Sequence, residues 1–182
     1  MTEILLDWCI PVAKQNTKLT LFEVALFGIL GGLTFAAKFV MAGLPNIEPS
    51  SLMIMLFAVT FGWKGLFPTY VYVALEILVN GISVWNIPYL YIWLVLFTAA
   101  WFMRKNTHPV AWGLLSGVFG LLFGVLCLPS HWAMSGFAGG LAWVISGIPY
   151  DIIHCAANFV IALLLFAPLR KLLNKLYTQM KK

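Results

Sequence analysis

The sequence predicts an all-α integral membrane protein, a bundle of six transmembrane helices with both termini in the cytoplasm. Three observations carry this prediction: an apolar composition, six hydrophobic segments and a one-sided distribution of basic residues. Of 182 residues, 62% are hydrophobic and 9% are charged, and the mean hydropathy is +0.95. Because an average soluble domain is about a quarter charged, this composition excludes a soluble enzyme, a disordered chain and a secreted disulfide scaffold. We expect one membrane domain over residues 1–182.

Loops that contain Gly and Pro, such as 43–46 and 81–88, separate the hydrophobic segments. The second segment is short for a bilayer crossing, which takes about 20 residues. A capping box, Thr20-Leu21-Phe22-Glu23, marks the start of the first. The connection Pro129–Gly147 is rich in Gly, Ser and Trp, and we expect a long re-entrant or interfacial loop there. The six predicted spans are Thr20–Ala42, Ser50–Phe61, Gly65–Ile82, Tyr89–Phe102, Val110–Leu128 and Ile148–Leu169.

Basic residues set the expected orientation. With six spans, the N-terminus, the second and fourth loops and the C-terminus share one side of the membrane. Loops on the opposite side contain no Lys or Arg, so the positive-inside rule makes the basic side cytoplasmic. Ten of the 11 Lys and Arg residues lie on that basic side: Lys14, Lys18, Lys64, Arg104, Lys105, Arg170, Lys171, Lys175, Lys181 and Lys182.

Both terminal segments are expected to lie at the membrane surface. Residues 1–17 carry Glu3 and Asp7 ahead of the apolar run, which is not the pattern of a signal peptide. We expect this segment to form a short interfacial helix. The basic tail, residues 169–182, is predicted to be a juxtamembrane amphipathic helix that binds lipid headgroups rather than nucleic acid.

The eleventh basic residue, Lys38, lies inside the first span, about one turn from its outer end. A charge at membrane depth costs at least about 2.5 kcal/mol and usually marks a functional site. Glu76 lies at a similar depth in the third span, with Asn80 on the same helix face at i+4. Lys38 could instead snorkel outward, or form a structural bridge with Glu76 or Asp151.

A second polar stripe enters the sixth span from the outside. Asp151, His154 and Asn158 follow one another at i, i+3 and i+7, which places them on one helix face. Together with Lys38, Glu76 and the loop residue Glu48, they predict an outward-facing polar cavity. The alternatives are a satisfied core histidine at His154, and asparagines that join helices by hydrogen bonds.

Aromatic residues surround the two outer loops that flank this predicted cavity. They are typical either of an aromatic belt at the lipid headgroups or of the apolar walls of a ligand site. These aromatics are Trp85, Tyr89, Tyr91, Trp93, Trp132, Phe137, Trp143 and Tyr150.

Small residues form a stripe on the first span. Gly28, Gly32 and Ala36 are spaced four apart, a pattern that permits close contact between membrane helices. The stripe serves either packing within the bundle or docking against a separate membrane partner.

The sequence lacks the motifs of several kinds of catalytic and metal-binding chemistry. No Walker A loop is present, so the chain is not expected to hydrolyse ATP. No paired histidines or CxxC motif indicate a metal site, and we expect no cofactor. A membrane hydrolase would need a nucleophile near His154. Ser146 is the nearest, without an oxyanion loop, so we expect no enzyme activity.

The stretches Leu44–Ser50 and Gly147–Asn158, with the short second span and the small-residue stripe, make the chain similar to a known family. It resembles the substrate-binding S component of energy-coupling factor (ECF) transporters over nearly its whole length. This resemblance implies a vitamin-capture subunit in the plasma membrane of a prokaryote. A transmembrane coupling subunit, which would dock on the stripe, and two cytoplasmic ATPases would be its partners.

The expected ligand is a vitamin-like small molecule, with cobalamin first, then a queuosine precursor, then pantothenate bound through Lys38. The stripe is glycine-led here, rather than all alanine. A competing interpretation is a non-enzymatic membrane scaffold or assembly factor, in which the charged cluster is only structural. The expected substrate-binding residues are Lys38, Asn46, Glu48, Glu76, Asn80, Trp85, Tyr89, Trp93, Trp132, Tyr150, Asp151, His154 and Asn158.

Overall fold

A computed structural model describes residues 18–44 and 46–179, in which every regular element is helical. The predicted interfacial helix at residues 1–17 lies outside the described residues, as do Pro45 and residues 180–182. The elements in chain order are α1 (Leu21–Val40), α2 (Ser50–Phe61), a 3-10 turn (Gly62–Gly65), α3 (Leu66–Asn80), α4 (Tyr89–Phe102), α5 (Pro109–Leu121) and α6 (Phe123–Gln179).

The predicted capping box is present at the start of α1. Glu23 N donates to Thr20 Oγ1 at 3.2 Å, and Thr20 N donates to Glu23 Oε2 at 3.0 Å. This reciprocal pair satisfies backbone donors that the first helical turn leaves without partners. The start of α1 therefore lies where the sequence places it.

Within the described residues, three segments are long and apolar enough to cross a membrane: Leu21–Val40, Ser50–Asn80 and Pro109–Gln179. The helix α4 is apolar but shorter. The 3-10 turn joins the two helices of the second segment, and Gly65 approaches α2 so closely that a Cβ there would meet the backbone carbonyl of Phe57. These findings confirm an all-helical fold over the described residues, with helices compatible with a membrane.

The two ends of the bundle differ in charge. We call one the basic end: it contains the start of α1, the 3-10 turn, the connection 103–108 and the end of α6. Arg170 ties this end together, because its guanidinium donates to the carbonyls of Arg104 at 2.8 Å and Asn106 at 3.2 Å. The opposite end contains residues 41–44 and 46–49, which connect α1 to α2, and the connection 81–88.

A long helical hairpin, formed by α5 and α6, extends from the basic end. Its chain reverses at Gly136, whose φ of 72° and ψ of 174° lie in a region open essentially to glycine alone. Beyond this turn, the ring of Trp143 stacks on His131 with centroids 3.8 Å apart. The two limbs are antiparallel and pack through glycines: a Cβ on Gly120 would lie 2.9 Å from the carbonyl of His154.

The prediction of a loop at Pro129–Gly147 is wrong, because this stretch is helical on both sides of Gly136. Its small and polar residues have roles within the helices. Ser130 and Ser146 donate their hydroxyls to carbonyls three residues earlier, at 2.8 and 3.0 Å. Gly140 lies where a Cβ would meet Leu128 of the other limb. A composition typical of loops here permits close packing of two helices.

The tail is helical as predicted through Gln179, and it continues α6 without a break. One face of the tail packs on the bundle, and other residues of the tail are exposed. Tyr177 contacts the ring of Phe61 edge-on at 4.9 Å, and its hydroxyl donates to Glu23 Oε1 at 2.6 Å. The tail therefore helps to hold the basic end together, in addition to any contact with lipid.

Candidate functional site

A cavity of about 400 Å³ lies at the opposite end of the bundle, between α1, α3, the start of α4 and the hairpin. This volume is within the range of small-molecule sites, roughly 300–1,000 Å³. Polar and aromatic side chains from separate stretches of the chain converge on it. The residues that line it are Phe35, Lys38, Phe39, Met41, Ala42, Leu44, Asn46, Ile47, Glu48, Glu76, Asn80, Trp85, Tyr89, Phe123 and His154.

The cation of Lys38 on α1 contacts side chains of two other helices. Its Nζ lies 3.0 Å from Glu76 Oε1 on α3 and donates to the hydroxyl of Tyr89 on α4 at 2.9 Å. It also lies 4.6 Å from the ring centroid of Tyr89, within the range of a cation–π contact. Asn80 donates to the second oxygen of Glu76 at 3.0 Å. The Glu76 carboxylate is thus engaged on both oxygens.

The carboxylate of Glu48 is less fully engaged. Its Oε2 accepts from Ser50 Oγ at 3.3 Å and lies 4.0 Å from Lys38 Nζ. Its Oε1 faces His154 Nε2 at 3.8 Å, which is beyond hydrogen-bond distance. His154 is only 4% exposed, and its Nε2 has no hydrogen-bond partner among the described residues.

The structure brings eight of the thirteen predicted binding residues to the wall of this one cavity. They come from the first, third, fourth and sixth predicted spans and from both intervening outer loops. The eight are Lys38, Asn46, Glu48, Glu76, Asn80, Trp85, Tyr89 and His154.

Three of the other predicted residues are engaged within the bundle. Asp151 accepts from the backbone N–H of Gly124 at 3.2 Å, so it joins the limbs of the hairpin and does not pair with Lys38. Asn158 donates to Ser51 Oγ at 3.1 Å, which agrees with the alternative of a hydrogen bond between helices. Trp93 is fully buried behind Tyr89, with ring centroids 5.3 Å apart.

The remaining two predicted residues, Trp132 and Tyr150, lie on the exposed surface of the hairpin. Trp132 contacts Phe137 edge-on at 5.8 Å, close to the turn. Neither side chain lines the cavity. Their exposure agrees with an aromatic belt rather than with a ligand wall.

Trp85 connects the cavity to the hairpin. It lines the cavity, remains 67% exposed and meets Trp143 edge-on, with ring centroids 4.5 Å apart. Trp143 in turn stacks on His131 across the hairpin. Trp85, Trp143 and His131 thus form a continuous run of ring contacts from the rim of the cavity to both limbs of the hairpin.

The predicted binding residues do not include several apolar side chains that line the cavity. Phe35 and Phe39 flank Lys38 on α1, and Phe123 contacts the ring of His154 at 5.0 Å. The spacing of Phe35 and Phe39, four apart around the only basic residue of the span, is a signal that could have identified them. Phe123 follows the break between α5 and α6, which no sequence signal marks.

A second buried ion pair lies at the basic end. Lys64 Nζ is 2.7 Å from Glu23 Oε2, and the Glu23 side chain is only 1% exposed. Tyr177 also donates to this carboxylate. This cluster links α1, the 3-10 turn and the tail at the end of the bundle away from the cavity, and none of its residues lines the cavity.

The small-residue stripe of α1 faces away from the bundle. Cβ atoms built on Gly28 and Gly32 would meet no atom within 4 Å, and Ala36 is exposed. The close contact of α1 with α3 is made instead by Gly31, whose Cβ would lie 2.6 Å from the side chain of Val71. Packing within the described bundle therefore does not account for the stripe.

Within residues 18–44 and 46–179, no cluster of three or more His, Cys, Asp or Glu side chains has the arrangement of a metal site. The cavity offers charge pairing, hydrogen bonding and aromatic contact to a ligand. Comparison with protein-family models, curated proteins and solved structures finds no match to this chain.

Proposed function

We propose that this chain is the substrate-capture subunit of an ATP-driven uptake transporter of the ECF type, in the plasma membrane of a prokaryote. In this proposal the bundle crosses the membrane six times, with both termini cytoplasmic. The observation that carries it is the cavity, where Lys38, Glu48, Glu76 and His154 converge although a membrane makes such residues costly. The chain binds and exposes the ligand, and no bond is made or broken in it.

The charge distribution supports the orientation. Apart from Lys38, every described Lys and Arg lies in the elements of the basic end or in the tail that continues from it. By the positive-inside rule this end is cytoplasmic, so the cavity at the opposite end faces outward. An outward cavity suits a subunit that captures a nutrient before transport.

Partner subunits would supply the energy. The chain contains no Walker A loop, so ATP would be hydrolysed by two cytoplasmic ATPases. A transmembrane coupling subunit would dock on the face of Gly28, Gly32 and Ala36, which the described bundle leaves uncovered. A small-residue face of this kind allows the backbones of two membrane helices to approach closely.

The size of the cavity bears on the ligand. Cobalamin is the first candidate; its peripheral amides would donate to Glu48 and Glu76, with the bulk of the corrinoid lying above the cavity. A queuosine precursor is the second candidate, favoured by the volume of about 400 Å³, which takes a deazapurine whole. Pantothenate fits less well, because Lys38 already contacts Glu76 and Tyr89.

A ligand titration with two matched carboxylate variants tests the capture function against the scaffold alternative. The purified protein is titrated with cobalamin, 7-aminomethyl-7-deazaguanine and pantothenate while its thermal unfolding is followed. We expect one of them to stabilise the wild type. Glu76→Gln and Glu23→Gln should both lower the unfolding temperature, because each removes one partner of an ion pair. Only Glu76→Gln should also lose the stabilisation by ligand. If no ligand stabilises the wild type and both variants only destabilise, the charged cavity is a structural element of a scaffold.

A further inference from the structure

The charges that line the cavity do not balance. The wall contains one cation, Lys38, and two carboxylates, Glu48 and Glu76, so with a neutral His154 one negative charge is left over. Lys38 lies 3.0 Å from Glu76 and 4.0 Å from Glu48, so its cation is closer to Glu76. The surplus charge therefore lies on Glu48.

The imidazole beside Glu48 gives an independent indication of a ligand. His154 lines the cavity, and its Nε2 is buried without a hydrogen-bond partner among the described residues. Buried polar atoms are nearly always paired, so an unpartnered one in a cavity wall indicates a group that arrives with a ligand. Glu48 Oε1 and His154 Nε2 lie 3.8 Å apart, close enough for a single donor group to contact both atoms.

We infer that the cavity selects an organic cation, whose charged N–H group lies between Glu48 Oε1 and His154 Nε2 and neutralises the surplus carboxylate. This inference rests on the proposed capture function. An amidinium or ammonium group satisfies both atoms by donating to the carboxylate and to the imidazole nitrogen. A neutral donor leaves a net negative charge in a site of low dielectric, which is unfavourable.

The surroundings of this pair define the rest of the ligand. Phe35, Phe39 and Phe123 give the cavity apolar walls, and Trp85 covers its rim. These surfaces suit a flat, apolar or aromatic body attached to the cationic group. The selected class is thus an aromatic or heterocyclic cation. Among the three candidate ligands this favours the queuosine precursor, with its aminomethyl group, over neutral cobalamin and anionic pantothenate.

Two isosteric probes test this inference. Benzamidinium is a flat aromatic cation, and benzamide is its neutral counterpart of nearly the same size. Both are titrated against the full chain in a neutral maltoside detergent, and binding is followed by ligand-observed NMR. We expect saturable binding of benzamidinium at least about tenfold tighter than that of benzamide, as charge-assisted hydrogen bonds predict.

Two variants locate the selectivity. Glu48→Gln should bring the two affinities within about twofold of one another, while staying folded because Lys38 keeps Glu76 and Tyr89 as partners. Asp151→Asn is the matched control: it also replaces a carboxylate at this end of the bundle, but one that does not line the cavity. It should leave the preference for benzamidinium unchanged.

The outcomes separate this inference from the capture function. Equal binding of the two probes, stronger binding of benzamide, or no saturable binding of either overturns the selection of a cation. If a vitamin-like ligand still stabilises the wild type in the titration described above, the capture function stands with a different specificity. If that titration also fails, both proposals fall.

Discussion

Lys38 Nζ on α1 lies 3.0 Å from Glu76 Oε1 on α3, and this ion pair is the centre of the polar cluster at the end of the bundle opposite its basic residues. Asn80 and Tyr89 complete the pair with one hydrogen bond to each partner. Each charge of the pair offsets part of the free-energy cost of burying the other.

Replacing one partner of this pair should therefore lower the free energy of unfolding more than replacing both. Lys38→Met leaves the Glu76 carboxylate buried without a cation, and we expect it to lower the free energy of unfolding by about 3–5 kcal/mol. The double variant Lys38→Met/Glu76→Gln should recover most of that loss. Unfolding by SDS in mixed micelles measures both. Equal losses in the single and double variants would contradict a coupled pair.

The hairpin should be sensitive to a methyl group at its interface. Gly120→Ala places a Cβ 2.9 Å from the backbone carbonyl of His154, so the two limbs must move apart. We expect a loss of about 1–3 kcal/mol in the free energy of unfolding. Gly28→Ala is the control, because its Cβ meets nothing within 4 Å, and better helix propensity should leave it equal to or more stable than the wild type. A Gly120→Ala variant as stable as the control contradicts the close packing.

The proposed orientation predicts opposite accessibility for two exposed positions. In a background without Cys9, Cys127 and Cys155, single cysteines are introduced by Gly43→Cys and Lys105→Cys. A maleimide that does not cross membranes should label Gly43→Cys in intact cells. It should label Lys105→Cys only after permeabilisation. The reverse pattern would invert the proposed orientation. Labelling of both cysteines in intact cells would contradict the odd number of membrane crossings proposed between them.

The outward face of α1 should matter for assembly and not for capture. The double variant Gly28→Leu/Gly32→Leu covers the stripe with bulk that the described bundle has room to accept. We expect unchanged ligand binding and a loss of more than about tenfold in association with the coupling subunit, because helix backbones can no longer approach closely. Gly31→Leu, which clashes with Val71 inside the bundle, should instead unfold the protein. Intact association of the stripe variant would exclude docking on this face.

Local rules were sufficient to predict the first half of the site. Charged residues are rare in membrane helices, and the spacing of Glu76 and Asn80 by four residues puts them on one helix face. These two rules identify Lys38, Glu76 and Asn80 as a cluster, and in the structure Lys38 and Asn80 each lie within hydrogen-bond distance of Glu76.

The second half depends on how the helices are aligned, which no local rule fixes. Asp151 and His154 share one face of α6, yet only His154 reaches the cavity. Asp151 is instead held by Gly124, which is 27 residues earlier in the chain, and this contact follows from the register between the limbs of the hairpin. Tyr89 and Trp93 are separated in the same way, because the depth of α4 decides which of the two lines the cavity.

The hairpin turn shows a different limit. A stretch rich in Gly, Ser and Trp is typical of loops in water, but hydroxyls that bond within their own helix and glycines that admit a neighbouring helix are compatible with a long helix. Only Gly136, with its positive φ of 72°, breaks the helical path. Its sequence neighbours do not distinguish it from Gly139 or Gly140.

Mass spectrometry of the small molecules that co-purify with the protein tests the capture function most directly. The protein is isolated from membranes of cells grown in rich medium, with Glu76→Gln and Glu23→Gln prepared in parallel. We expect one small molecule, near one equivalent per chain, with the wild type and with Glu23→Gln, and none with Glu76→Gln. A molecule retained equally by all three proteins would contradict binding at the Lys38–Glu76 cluster. A wild type that carries no molecule and does not respond to the ligand panel would contradict capture itself.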